Sequence, residues 1–252
     1  TGGRVARETD GSGTGIVHAA GACAGMGAVA GRPLVFVGGG NGLVYAFDPL
    51  KKATSPAALL KKVWSFDCDP TAPKKNIHDY MGNRTTSPSH IKGMPVFHKG
   101  RVYVASTGDI WWGKREASLK CIDATSAGDV TKTAQVWSQP LTSHCCATPS
   151  IHDGLVYIGD CGKTVHCFDA ETGKPVWTHE TDGDIWGSTL VADGKVYVGT
   201  RRGGFWIFAA GRTKKVLATV KLDGPIHGTP TAANGVIYVA TMKRLYALQK
   251  SA

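Results

Sequence analysis

The chain has 252 residues, of which 33 are Gly and only 19% are charged, with 29 Lys and Arg against 19 Asp and Glu for a net charge of +10. That length can bury a proper core as one all-β domain or two smaller ones. No stretch approaches the roughly 18 uncharged apolar residues that a membrane-crossing helix needs.

The basic residues come in pairs (Lys51-Lys52, Lys61-Lys62, Lys74-Lys75, Arg201-Arg202, Lys214-Lys215) rather than in one long run. Pairs of this kind describe a solvated surface, whereas an anionic partner would favour a concentrated tract. No zinc-finger, RNP-like or P-loop pattern accompanies them, so nucleic acid is disfavoured as a partner. The seven Cys include no CxxC pair, which leaves a structural zinc site without support. Thr1 stands where a Met would begin an unprocessed chain, and a processed or truncated N-terminus is expected.

From the N-terminus onward one hairpin recurs. Its first strand is LVFVGG (34–39), RVYVAS (101–106), LVYIGD (155–160), KVYVGT (195–200) and VIYVAT (236–241), with an aromatic at the third position each time. The return strand is VYAFD (44–48), KCIDA (120–124), HCFDA (166–170), WIFAA (206–210) and YALQ (246–249). Alternating β-branched and aromatic residues bounded by Gly, Asp and Asn are strand-and-turn signals. A further strand precedes the later hairpins and ends in Asp153-Gly154, Asp193-Gly194 or Asn234-Gly235, each a two-residue turn signal. An outer strand follows the hairpin, carrying Trp64, Trp137 or Trp177, with Val216-Leu217-Ala218 in the fourth copy.

Four strands repeating at about 40 residues are the signature of propeller blades. The expected fold is therefore an all-β propeller of about five four-stranded blades, a single domain over 1–252. Its blades run roughly over 16–69, 85–140, 144–182, 183–222 and 223–250 plus 1–7. The last blade lacks an outer strand, and residues 1–7, which echo 172–177, would either supply it or belong to a blade of a larger seven- or eight-bladed ring. Two insertions interrupt the period, residues 69–92 and the enlarged turn 107–118, and long loops on a rigid scaffold are common binding positions.

Cys167-Phe168-Asp169-Ala170-Glu171-Thr172-Gly173-Lys174-Pro175-Val176-Trp177, with looser copies ending at Trp64 and Trp137, resembles the tryptophan-docking repeat of the pyrroloquinoline-quinone (PQQ) repeat propellers. The resemblance extends over most of residues 16–250 and implies two kinds of function. Some members of that family are quinoprotein dehydrogenases that hold the quinone with calcium. Others, among them an outer-membrane assembly lipoprotein, use similar repeats as a non-catalytic binding scaffold of the cell envelope. The scaffold reading, periplasmic and bacterial with a protein or glycan partner, is the expectation here, and a quinoprotein oxidoreductase is the alternative.

Three groups of residues are candidates for a site. In quinoprotein dehydrogenases a bonded adjacent Cys pair packs on the quinone ring; the resemblance carries that role to Cys145 and Cys146, with Trp186 beside the cofactor. The reading without a cofactor is two thiols, one buried and one in the channel wall. Aligning the blades places His90, His144 and Asp184 at one ring-equivalent position, with His227 two residues beyond it, where imidazole and carboxylate can bind a transition metal; a hydrated channel mouth is the plainer reading. Finally, Trp111 and Trp112 with Lys114 and Arg115 form a candidate partner surface. No nucleophile elbow, HExxH or paired-carboxylate motif is present.

Overall fold

The computed structural model describes residues 22–50 and 60–249. The strand expected from residues 1–7 lies outside the described residues. Among the described residues five sheets follow one another along the chain, antiparallel apart from one short added strand, as the repeats predict.

The first sheet holds β1 (Gly25–Val29), β2 (Arg32–Gly38), β3 (Leu43–Phe47) and β4 (Lys62–Asp67), in that order. The second is built from β5 (Ser89–His90), β6 (Val96–His98), β7 (Arg101–Gly108), β8 (Ala117–Asp123) and β10 (Gln135–Pro140), and a 3-10 turn at Ile77–Tyr80 lies in the insertion before it. The short β9 (Gly128–Asp129) was not foreseen: it leaves the second repeat and adds to β4 in parallel, Trp64 facing Gly128. The added strand covers an edge that would otherwise offer unpaired backbone groups. The third sheet is β11 (Ser150–His152), β12 (Leu155–Gly159), β13 (Thr164–Asp169) and β14 (Pro175–Glu180). The fourth is β15 (Leu190–Ala192), β16 (Lys195–Gly199), β17 (Gly204–Ala209) and β18 (Val216–Lys221). The fifth has three strands among the described residues, β19 (Thr231–Ala233), β20 (Val236–Ala240) and β21 (Leu245–Gln249). By contact density the chain divides into two compact units, residues 1–114 with 120–136, and residues 115–119 with 137–252.

The same local devices shape every blade. The turn into the first hairpin strand puts two consecutive residues at positive φ in all five: Ala30-Gly31, Lys99-Gly100, Asp153-Gly154, Asp193-Gly194 and Asn234-Gly235. Two such residues give the mirror-image turn whose twist suits a hairpin, which is why Gly is fixed at the second place and Asn or Asp favoured at the first. Ala30 and Lys99 take the strained first place without the side chain that normally eases it.

Between blades, the Trp of one outer strand is hydrogen-bonded to the turn of the next blade. Trp64 Nε1 donates to the Ala124 carbonyl at 3.2 Å, Trp137 to Ala170 at 3.0 Å and Trp177 to Gly211 at 2.9 Å. All three indoles are buried, so each satisfies its one polar atom while its ring fills the space between sheets. Gly173 of the repeat motif belongs to the same device. It sits at φ +72° directly under Trp137, where a Cβ would lie 2.6 Å from the indole ring.

A second inter-blade contact lies at the other side of the sheet. Gly38, Gly159 and Gly199 end the first hairpin strand of their blades, and each faces the Ile that leads into the next: Ile91, Ile185 and Ile226. A Cβ on any of these Gly would come within 2.3–2.5 Å of the Ile side chain. The Ile residues are fully buried, so a Gly on one side and a branched residue on the other give close packing without strain.

Candidate binding face of blades three and four

The segments that lead into blades three, four and five are held in one frame. In each, a hairpin-turn N–H donates to a lead-in carbonyl: Cys161 to His144 at 2.7 Å, Arg201 to Asp184 at 2.9 Å and Met242 to Pro225 at 2.9 Å. The register places Cys145, Ile185 and Ile226 in equivalent core positions and Cys146, Trp186 and His227 in equivalent positions one residue on.

The first of these is Cys145. It is fully buried where the following blades carry Ile, its Sγ 3.4 Å from the Gly159 carbonyl, and burial pushes its thiol well above the ordinary range. A buried thiol in an Ile position fills a packing role. Cys146 is half-buried and interacts with Cys161 across the hairpin turn.

In blade four the corresponding pair is Trp186 and Arg201. The Arg201 guanidinium lies 4.2 Å from the centre of the Trp186 ring, the His227 ring stacks on that Trp at 5.3 Å, and Arg201 Nε donates to His227 Nε2 at 3.4 Å. The Asp184 carboxylate stands 3.7 Å from the same guanidinium. Arg201 and Asp184 keep 38% and 39% of their side-chain surface in water, so the group is open to a partner. Sequence reasoning placed Trp186 beside a quinone, grouped Asp184 and His227 in a metal set, and read Arg201 as part of a solvated surface pair. The fold gathers all four, and Arg201 is what joins them.

A polar triad supports the frame in each of these blades, its acid buried in blade three and half-buried in blades four and five. In blade three Asp160 accepts from Thr142 Oγ1 at 2.7 Å and from His166 Nε2 at 2.8 Å. In blade four Asp182 accepts from Thr200 Oγ1 at 2.8 Å and Trp206 Nε1 at 3.2 Å. In blade five Asp223 accepts from Thr241 Oγ1 at 3.0 Å and from Tyr246. Burial acts to raise these three carboxyls, yet the hydrogen bonds hold all three below the ordinary carboxylate range.

The other proposed groups fare differently. His90 is buried, with Nδ1 donating to the Gly40 carbonyl at 2.6 Å; His144 is also buried. Among the described residues no three or more His, Cys, Asp or Glu side chains gather as a metal-holding group. Asp184 and His227 are instead engaged by Arg201.

In the second-blade insertion Trp111 is 68% exposed and Arg115 is exposed, as a partner surface requires. Lys114 is not: it is buried, paired with Asp69, and its backbone N–H donates to Ser87 Oγ at 2.8 Å. Trp112 is half-buried with its ring edge-on to His90 at 6.2 Å. Lys114 and Trp112 therefore anchor the two insertions to the blade, while Asp69, drawn well below the ordinary range against the pull of burial by Lys114, Ser89 and Thr71, ties the ends together. Arg84 completes the clamp by donating to the Trp111 and Gly113 carbonyls.

The family described as outer membrane protein assembly factor BamB matches residues 115–213. The chain resembles the PQQ-repeat propellers in sequence and in fold. Comparison with the curated proteins returned no match. Among solved structures, BamB from Moraxella catarrhalis is 18% identical with a TM-score of 0.60, over 90% of this chain and 57% of that one. The chain thus spans somewhat more than half the length of that relative. The computationally designed Ika8 protein is 12% identical with a TM-score of 0.59, over 85% of this chain and 55% of its own. The designed Ika4 protein is 13% identical with a TM-score of 0.52, over 64% of this chain and 91% of its own. A designed chain matches as well as a natural one, so these likenesses establish the multi-bladed propeller fold and nothing finer.

Proposed function

We propose that the chain is a non-catalytic binding scaffold of the bacterial cell envelope, acting in protein assembly at the outer membrane. The observation that carries this reading is the overlap between the BamB family match at 115–213 and the open Arg201–Trp186–Asp184 group. An Arg stacked on a Trp beside an acid is chemistry suited to a protein partner: large contact area, a held guanidinium and little conformational entropy to lose on binding. His227, just beyond the matched residues, extends the same surface. The exposed Trp111 offers a separate anchor.

The test is a photo-reactive phenylalanine analogue placed at Trp186 in the full chain, expressed in a Gram-negative host, with adducts identified by mass spectrometry. The reading predicts an adduct with a protein of the outer-membrane assembly machinery that disappears with Arg201→Glu. Adducts indifferent to that substitution would overturn it. A parallel titration with PQQ and calcium separates the enzyme alternative, because a ligand of the folded state raises the melting temperature. A saturable rise lost in Cys146→Ser would transfer the site to a quinone.

A further inference from the structure

Cys146 and Cys161 occupy, in blade three, the two positions that Trp186 and Arg201 occupy in blade four. The same backbone bond holds both pairs: the N–H of Cys161 on the His144 carbonyl, the N–H of Arg201 on the Asp184 carbonyl. In blade four that frame brings the two side chains into stacking contact. In blade three it brings two small side chains together, and the Cys146 and Cys161 thiols interact with each other. Both residues are half-buried, reachable by a small thiol reagent, whereas Cys145 is enclosed.

We propose that Cys146 and Cys161 form a reversible disulfide, a redox site that staples the hairpin turn of blade three to the segment leading into its inner strand. Contact with Cys146, followed by burial, pushes the Cys161 thiol well above its ordinary range, and the first attack is assigned to the Cys146 sulfur. The oxidant is a small-molecule or protein disulfide. The Cys146 thiolate attacks one of its sulfurs, forming a mixed disulfide and releasing one thiolate. Cys161 then attacks Sγ of Cys146, releasing the second thiolate as its own proton passes to solvent. Two thiols are oxidised by two electrons, and one disulfide is reduced to two thiols.

The consequence reaches the binding face. Cys161 Sγ also lies 3.8 Å from the carbonyl of Ile185, the residue before Trp186, and the Ile185 N–H donates to the Asp160 carbonyl at 3.2 Å. Drawing Cys161 to Cys146 removes its S–H from that carbonyl and fixes the support on which Trp186 stands. The site is independent of the proposed partner and would stand if that reading fell.

The experiment treats the folded full chain with oxidised glutathione, alkylates remaining thiols under denaturing conditions, and maps peptides after chymotryptic cleavage between the two Cys at Leu155 and Tyr157. The expected product is a Cys146–Cys161 cross-linked peptide, reversed by dithiothreitol and still formed in Cys145→Ala. For a loop of this length the cross-link should raise the melting temperature by roughly 5–10 °C, a rise absent from Cys161→Ser. A Cys145–Cys146 linkage, a glutathione adduct without the cross-link, or full alkylation of both thiols would each overturn the proposal. The wild-type map decides by itself should a variant fail to fold.

Discussion

Blades three and four share a backbone and differ in what they hang on it. Both have the positive-φ turn, the five-residue hairpin strand ending in Gly, the buried residue leading in and the turn N–H on the lead-in carbonyl. Within that frame the polar triad is inverted. Blade three places the acid in the hairpin turn (Asp160) and the hydroxyl on the lead-in side (Thr142); blade four places the hydroxyl in the turn (Thr200) and the acid outside it (Asp182). The return strand supplies the third donor in both, His166 or Trp206. The surface pair changes as well, from two thiols to Arg on Trp. What the frame needs is one acid, one hydroxyl and one ring donor in reach of each other, and it is indifferent to which side carries the charge. The surface pair is not part of the frame, and there the blades are free to specialise.

A third difference lies at the outer strand. Trp177 of blade three docks on the Gly211 carbonyl of blade four, but its counterpart in blade four is Ala218, on the strand β18 whose residues are exposed. Breaking the first contact should have the largest effect. Trp177→Ala removes a buried indole and its hydrogen bond, and a loss of about 3–5 kcal/mol in chemical denaturation is expected. Ala218→Ser, at the exposed counterpart, should change stability by less than about 0.5 kcal/mol.

The inverted triad can be exchanged between blades. Asp160→Asn strips the charge from a buried network that includes His166 and should cost about 3 kcal/mol. The double change Thr142→Asp with Asp160→Thr recreates the blade-four arrangement in blade three and should recover most of that loss. No recovery would mean that the two sides are not equivalent. Smaller again is Gly173→Ala, expected to cost about 2 kcal/mol because it combines a left-handed backbone with a clash against Trp137.

The smallest effect is a pH dependence. His179 of blade three lies edge-on to Trp206 and Phe208 of blade four, and burial, followed by the charge of Lys214, holds its pKa below the ordinary value. The folded state therefore binds fewer protons than the unfolded one. This contribution is complete above the unfolded His pKa of about 6.5 and declines as pH falls from there toward the lower folded value. Melting temperatures measured from pH 7 down to pH 5 should fall, and His179→Phe should flatten that slope.

The architecture was legible because its signals are local. Aromatic alternation, Asp-Gly and Asn-Gly turns and the spacing of Trp64, Trp137 and Trp177 each act within a few residues and repeat. The turns at Ala30-Gly31 and Lys99-Gly100 were harder, since their first residue lacks the side chain that marks such a turn. β9 was invisible for another reason: two residues joining a distant strand leave no periodicity. At the site, Trp186, Asp184 and His227 were found by aligning blades, whereas Arg201 and Cys161 enter from the hairpin turn, fifteen residues beyond the positions they touch. Lys114 shows the reverse error. A basic residue beside two Trp has the composition of an exposed patch, and only its distant partner Asp69 reveals that it is buried.

Trp docking locks one blade to the next, and among the described residues the series ends at blade four. Native-state hydrogen exchange followed by mass spectrometry measures this directly, because docked elements open only with larger unfolding events. Slow exchange is expected in β12, β13 and β16, fast exchange in β20 and β21, and a drop of blade four to the level of blade five in Trp177→Ala. Equal protection of blades three and five, or a blade four indifferent to the loss of Trp177, would contradict it.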